Sequence, residues 1–189
     1  MSGVNVVFIH DTRRSLMAAT DLVNTLPGYD DPDRLETLDD LDAYLSANPY
    51  TGLIRRDRDE LTAIRGIRRR LRALWDVDRD GAVPLVNEML ADGHALPRLV
   101  RHDGYDWHVH ATSDDAPLAT RILVEAAMAF VDVIRAGEYD RVRVCEASDC
   151  DSVYIDYSRN GSKRYCDTGN CGNRMNVNAY RRRKARETA

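Results

Sequence analysis

At 189 residues, 43% of them hydrophobic, the chain is long enough to bury a substantial core, as one domain or as a medium domain with a small appendage. No apolar run approaches the ~20 residues of a membrane-spanning helix, and Met1-Ser2-Gly3 does not open a basic, apolar leader, so a cytoplasmic protein without a membrane partner is expected. The net charge of −4 conceals an asymmetry: residues 141–189 hold 11 Lys and Arg against 6 Asp and Glu, a balance of +5, whereas the preceding 140 residues carry −9. An acidic body with a basic tail directs any polyanion to the tail.

In chain order, Val4 to Ile9 reads as a short strand or apolar arm. Asp11 or Thr12 is placed to cap a helix to about Leu26, with Leu16, Ala19 and Leu22 at helical spacing before Pro27-Gly28. Thr37 and Asp40 form a capping-box pattern for a helix from Leu38 to about Ala47, broken by Asn48-Pro49. Asp57 and Glu60 repeat the pattern for the longest stripe, from Leu61 through Ile64, Ile67 or Arg68, Leu71 and Leu74 to about Val77. The far side of that helix carries Arg58, Arg65, Arg69 and Arg72, either an accessory anion-binding face or a solvated surface.

Asp80-Gly81 reads as a turn, followed by a helix from Val83 to Leu90 that stops at Gly93. Leu96 to His102 and Tyr105 to Ala111 read as a hairpin about a type I′ Asp103-Gly104 turn. His108 and His110 share one strand face, as a ligand-binding pair or as surface residues of a half-exposed strand. Asp114 is placed to cap a helix starting near Pro117 and running to Gly137. That helix is apolar over most of its circumference and is expected at the centre of the core. There is no Gly-rich phosphate loop, Gly-x-Ser-x-Gly or His-Glu-x-x-His, and no catalytic residue or enzymatic activity is expected.

All four cysteines lie in the last fifth. Cys145 and Cys150 form one pair, Cys166 and Cys171 another, with four residues between the members of each and fifteen between the pairs. Val142-Arg143-Val144 reads as a strand into the first pair and Val153 to Tyr157 as a second. Asn160-Gly161 forms a turn, Lys163-Arg164-Tyr165 a third short strand, and a helix begins after Gly172. This layout of knuckle, hairpin and helix start is of the treble-clef type. Four thiolates close the tetrahedral sphere of one zinc ion per chain, a structural site without an open position. Arg143, Arg164 and Arg174 lie near enough to offset thiolate charge. Two disulfides or four buried thiols are the alternatives, less suited to a reducing compartment.

The expected fold class is therefore α+β. A mainly helical N-terminal domain with a β-hairpin spans residues 1–138, and a small treble-clef-like zinc module with four cysteine ligands spans 139–189. Asp156-x-Ser158-Arg159-Asn160, Arg164-Tyr165-Cys166, and Cys171-Gly172-Asn173-Arg174 with Tyr180-Arg181-Arg182-Arg183 resemble the CGNR zinc-finger family of bacterial proteins. Asp21-Leu22-Val23-Asn24-Thr25, the Leu38–Leu45 helix and the long arginine-bearing helix are similar to the ABATE domain that usually precedes it. The chain departs from the family's more basic pattern at Asn176 and Asn178.

The resemblance implies a transcription regulator that binds double-stranded DNA and senses a small-molecule effector. At about 100° per residue, Arg174, Asn178 and Arg181 share one helical stripe, with side chains suited to guanine and adenine edges. Arg182, Arg183 and Lys184 are placed for phosphates. A helix end complementing its own macrodipole, or docking on the acidic body, is the less favoured reading of the same charges. A protein-interaction or RNA-binding module without sequence-specific DNA binding is the alternative. An effector pocket, or on a further alternative an active site, is expected near Asn24, Arg65 and His108. Symmetric operators call for a homodimer, although no dimer surface is legible.

Overall fold

The computed structural model describes residues 8–29, 31–101 and 106–187. Its elements are α1 (His10–Val23), α2 (Leu38–Ala47), α3 (Arg58–Arg72), α4 (Arg79–Asp92), β1 (Arg98–Val100), β2 (His108–His110), α5 (Leu118–Ala136), β3 (Val142–Val144), β4 (Val153–Ile155) and α6 (Cys171–Glu187). The strands pair as two separate antiparallel hairpins, β1 with β2 and β3 with β4. The expected arm at Val4 and the Asp103-Gly104 turn lie outside the described residues.

The central helix is α5, against which α1, α3 and α4 all pack. Its buried face includes Leu118, Ile122, Leu123, Ala126, Ala127, Phe130 and Val133. The alanines let neighbouring backbones approach closely. Trp75, on a 3-10 turn after α3, meets Phe130 edge to face at 5.3 Å, the arrangement aromatic quadrupoles favour. Gly93 ends α4 directly against α5: a Cβ there would lie 2.1 Å from Val124. Gly137 closes α5 in the left-handed conformation at φ 71°, which glycine adopts without a Cβ clash.

Local chemistry sets the helix starts. The capping box at Thr37 and Asp40 is complete, and α2 begins and ends where the sequence places it. Asp57 accepts from the Glu60 N–H to cap α3. The Glu60 carboxylate turns back to accept from the N–H groups of Arg55 and Arg56. Three starts differ from expectation. Neither Asp11 nor Thr12 caps α1, which begins at His10; the Thr12 hydroxyl donates instead to Asp132 on α5 at 2.5 Å. Asp78 caps α4 by accepting from Gly81 N–H at 2.8 Å, so Asp80-Gly81 is the first helical turn and not a break. Asp114 does not cap α5; its carbonyl accepts from Leu53 N–H and holds the loop after α2.

One buried ion pair organises the α3 side of the core. The Arg68 guanidinium, 4% exposed, donates to both carboxylate oxygens of Asp33 at 2.7 and 2.8 Å and to the Thr25 carbonyl at 3.1 Å. These bonds, led by that of Arg68, hold the Asp33 carboxyl well below the usual carboxylate range. Arg65 adds a contact to Asp33 at 3.0 Å, and Arg72 donates to Asp76 and to the Asp151 carbonyl. Two of the four arginines on the proposed anion face are thus engaged within the chain.

The hairpin β3–β4 joins the two halves. Val153 and Ile155 enter the same core as α1 and α5, while Tyr154 between them faces the cysteine cluster. The alternation of a β-strand therefore gives β4 two buried faces. Asn24, at the end of α1, pairs with Val153 as a strand neighbour would: Val153 N–H donates to its Oδ1 at 2.8 Å, and its Nδ2 donates to the Val153 carbonyl at 2.9 Å. Trp75 Nε1 donates to the Tyr154 carbonyl at 3.2 Å.

Removing the Asp33 carboxylate strands a buried guanidinium. Asp33→Ala is expected to cost about 3–5 kcal/mol in urea titrations at pH 7. The paired Asp33→Leu, Arg68→Met variant should lose much less. Because the folded carboxyl is held low, this contribution is full above the ordinary Asp pKa of about 3.9 and fades as the pH falls below it. The wild-type and Asp33→Ala stabilities should therefore converge in acid.

Candidate metal centre

Each cysteine is brought to the centre by a different local device. Cys145 directly follows β3, and its N–H donates to the Ser152 carbonyl at 2.9 Å. Cys150 closes a turn by donating its N–H to the Ala147 carbonyl at 3.1 Å. Cys171 is the first residue of α6. Cys166 lies on the loop from 156 to 170, and Lys163-Arg164-Tyr165 within it, expected as a third strand, forms none. A single strand-like bond links it to the knuckle among the described residues, from Glu146 N–H to the Arg164 carbonyl at 3.0 Å.

That loop is braced from inside. Asp156 is fully buried, and its carboxylate accepts from Ser158 N–H at 2.8 Å and Lys163 N–H at 2.7 Å. Burial acts to raise its pKa, but these bonds outweigh it and the carboxyl titrates below the ordinary value. Arg141 donates to the carbonyls of Asp156 and Ser158. Arg143 donates to those of Gly161 and Lys163, and the Tyr154 hydroxyl to Lys163 at 2.6 Å. Arg143 therefore supports the loop backbone and does not offset thiolate charge. Arg164 pairs with Glu146 at 2.7 Å.

The ligand atoms of Cys145, Cys150, Cys166 and Cys171 all lie within 4.8 Å of one another, and three of these residues are buried. Cys166 Sγ lies 3.7 Å from both Cys150 Sγ and Cys171 Sγ. Four thiolates at ~2.3 Å around a tetrahedral zinc stand ~3.8 Å apart, whereas a disulfide requires ~2.05 Å. As thiols the four cannot all ionise. Burial raises Cys145 and pushes Cys171 up to about 12. At Cys166 burial is outweighed by the Gly169 N–H and the neighbouring thiols, which bring it down to about 7. A divalent cation resolves that conflict by taking thiolates and releasing protons. The donor set fits one structural zinc ion.

Arg174 is turned back onto this centre. Its Nη2 donates to Cys171 Sγ at 3.2 Å and to Asp149 Oδ1 at 3.1 Å. A guanidinium that bridges a ligand sulfur and the knuckle between the first two cysteines fixes the start of α6 against the cluster. The stripe of Arg174, Asn178 and Arg181 is therefore divided: the first member serves the metal centre, and the others lie beyond it. From Asn176 to Lys184 every residue of α6 is exposed. Arg181, Arg182 and Arg183 have no hydrogen bond or ion pair with the described residues.

Asn24, Arg65 and His108 do not converge. Asn24 clamps β4 and Arg65 pairs with Asp33, as described above. His108 lines a cavity of about 320 Å³ between α1, α5, β2 and the loop after α2, which neither of the other two reaches. His110 lines it as well, its Nε2 3.1 Å from Nε2 of His108. The His108 Nδ1 hydrogen faces the Asp106 carbonyl at 2.8 Å. His110 also faces Asp114, its Nδ1 3.8 Å from Oδ1.

Removing the Arg174 guanidinium leaves all four ligands in place but withdraws a hydrogen bond from one. Arg174→Ala is expected to weaken zinc binding by ~10–100-fold in competition with a chromophoric chelator. Elemental analysis at saturating zinc should still find one ion per chain.

No curated protein matches the chain. Two family profiles do. The CGNR zinc finger matches residues 141–184, which contain the whole cysteine cluster and the braced loop. The ABATE profile, described as "Putative stress-induced transcription regulator", matches residues 16–137, from the first turns of α1 to the glycine that ends α5. With well over half of its length under that profile and the zinc finger directly following, the chain belongs to the ABATE family and carries a CGNR zinc finger at its C-terminus.

Proposed function

We propose that this chain is a DNA-binding transcriptional regulator. In this reading α6 is the contacting element, the zinc centre fixes its start, and the N-terminal region carries the effector site. The observation that carries it is the solvent-facing α6, which presents Arg181, Arg182 and Arg183 without partners among the described residues, followed by Lys184. Guanidiniums on a helix anchored at its first turn, and left unpaired by the described residues, suit phosphate and base-edge contacts. From Asn176 to Glu187 the helix is ~18 Å long, enough to cross a major groove. Asn178 and Arg181, three residues apart, share the face that meets base edges, while Arg182, Arg183 and Lys184 flank it toward phosphates. The family's description as transcription regulators supports the same reading.

No helix among the described residues is long and apolar enough to cross a membrane, and a cytoplasmic setting is proposed because it keeps four thiolates available for zinc. The reading assigns no catalytic residue. It includes pairing of two chains on a symmetric operator, which would place two α6 helices one DNA turn apart. Coupling between effector and DNA runs through α1, whose first turns line the cavity and whose C-cap, Asn24, grips β4.

Fluorescence anisotropy of the zinc-loaded protein with genomic DNA fragments tests this. Binding should weaken with salt, and Arg182→Ala with Arg183→Ala should lower the slope of log K against log salt by about 2, roughly one counterion per lost phosphate contact. Retention of RNA in preference to DNA, or an unchanged slope, would move α6 to the alternative of an RNA- or protein-binding element.

A further inference from the structure

The cavity beside α1 has a definite chemistry. Its α5 wall is one helical face: Glu125, Met128, Ala129 and Asp132, at steps of three and four. The two carboxylates thus stand two turns apart with an apolar strip between them. Met17 and Ala18 of α1 continue that strip on the facing wall. Asp132 accepts from the Thr12 hydroxyl through one oxygen, Oδ2, and keeps the other for a ligand. Glu125 is half-buried where it lines the cavity; no hydrogen bond joins it to a described residue, and Arg121 and Arg14 act on it only through their charge. Charged acidic residues outnumber the basic ones in the lining: Asp11, Glu125 and Asp132 against Arg14.

We propose that this cavity binds a linear aliphatic diamine, one ammonium on Glu125, the other on Asp132, with the methylene chain lying along Met128 and Ala129. The carboxylates are separated by seven residues, ~10 Å along the helix axis, a span that a diamine of four to six carbons bridges with a charge-assisted bond of ~2.8 Å at each end. A dicarboxylate would meet three acids, and a wholly apolar molecule would leave the Glu125 carboxyl unpaired. The inference deepens the reading of the N-terminal region as effector-binding and rests on it. It does not depend on what α6 contacts.

Protonation gives the proposal a signature. Glu125 faces Arg121 from its own helix, Arg14 and Asp11 from α1, Tyr44 and Tyr50 from α2 and the following loop, and His108 and His110 from β2. Arg121 donates to the carbonyls of Ala116, Thr51 and Leu53 and makes no direct bond to Glu125. Burial therefore prevails over the two arginines and raises the Glu125 carboxyl to about 7. An ammonium requires the ionised form. Below about pH 7 affinity should fall toward tenfold per pH unit, and above it should level off.

The test is isothermal titration calorimetry on the zinc-loaded full chain, without DNA, using 1,5-diaminopentane, n-pentylamine and glutarate at matched ionic strength. The expected result is saturable binding of one diamine per chain at pH 8, at least tenfold weaker binding of the monoamine, and none of glutarate. Glu125→Gln should weaken the diamine at least tenfold and abolish its acid dependence. Asp132→Asn should weaken it comparably while keeping that dependence, which guards against misfolding of either single variant. No saturable diamine binding up to about 10 mM, a Kd corresponding to under 3 kcal/mol, would overturn the proposal. So would preference for glutarate, or diamine affinity unchanged by both substitutions. Because DNA is absent, failure of α6 to bind DNA leaves these outcomes unaffected.

Discussion

Four sulfur atoms within 4.8 Å of one another are the constraint from which the C-terminal quarter is built. Left to themselves they cannot all ionise. Burial pushes the Cys171 thiol up, while the hydrogen bonds converging on Cys166 bring its thiol down. A metal ion turns that conflict into the source of folding free energy for a segment too short to bury much of a core of its own. The surroundings follow from the need to deliver sulfurs from a strand end, a turn, a loop and a helix start to one point. The loop is the weak member of that set. It has no strand to stiffen it, so Asp156 gathers its N–H groups while Arg141, Arg143 and Tyr154 gather its carbonyls.

The second organising fact is that β4 has no free face. Val153 and Ile155 complete the helical core and Tyr154 completes the metal centre. A three-residue strand in a two-stranded sheet is too small to be stable alone. Here it is held by apolar contacts on both sides and by Asn24, whose amide occupies the place of a third strand. The end of the ABATE match at 137 and the start of the zinc-finger match at 141 mark a boundary in sequence. Packing crosses that boundary without interruption.

Which parts could be read from the sequence follows from the range of the interactions involved. The four ligands were legible because paired cysteine spacing is a local signal. The limits of α2 were legible because Thr37 and Asp40 are three residues apart, and the central place of α5 because apolar residues cover most of its circumference. The start of α4 was not, because Asp80-Gly81 is a turn signal that the cap at Asp78 overrides two residues earlier. Arg68 could be seen only as an alternative to Ile67 in an apolar stripe, since its partner Asp33 is 35 residues away. Asn24 was singled out for a pocket, but its partner is 129 residues away in the zinc hairpin. Arg174 was assigned to the DNA-facing stripe from helical periodicity. That periodicity gives a residue's face but not the reach of a long side chain back to Asp149 and Cys171. The cavity beside α1 had only His108 and His110 as its signal. Glu125 and Asp132 are visible on the helical face of α5 only once α1 is known to lie across it.

The helix α6 is anchored at one end. Its first turn is fixed by Cys171 and Arg174, and beyond Met175 it has no buried side chain among the described residues. A solitary helix of about a dozen residues is marginal in water, and Asn176, Val177 and Asn178 are weak helix formers placed where the free part begins. What the anchored end provides is the nucleus, the step that ordinarily makes short helices unfavourable. On the proposed reading, a polyanion lying along the distal arginines would raise the helical fraction of this segment. Helix formation and recognition would then be coupled in this segment, with the anchored turn at the cysteine cluster as the starting point of both.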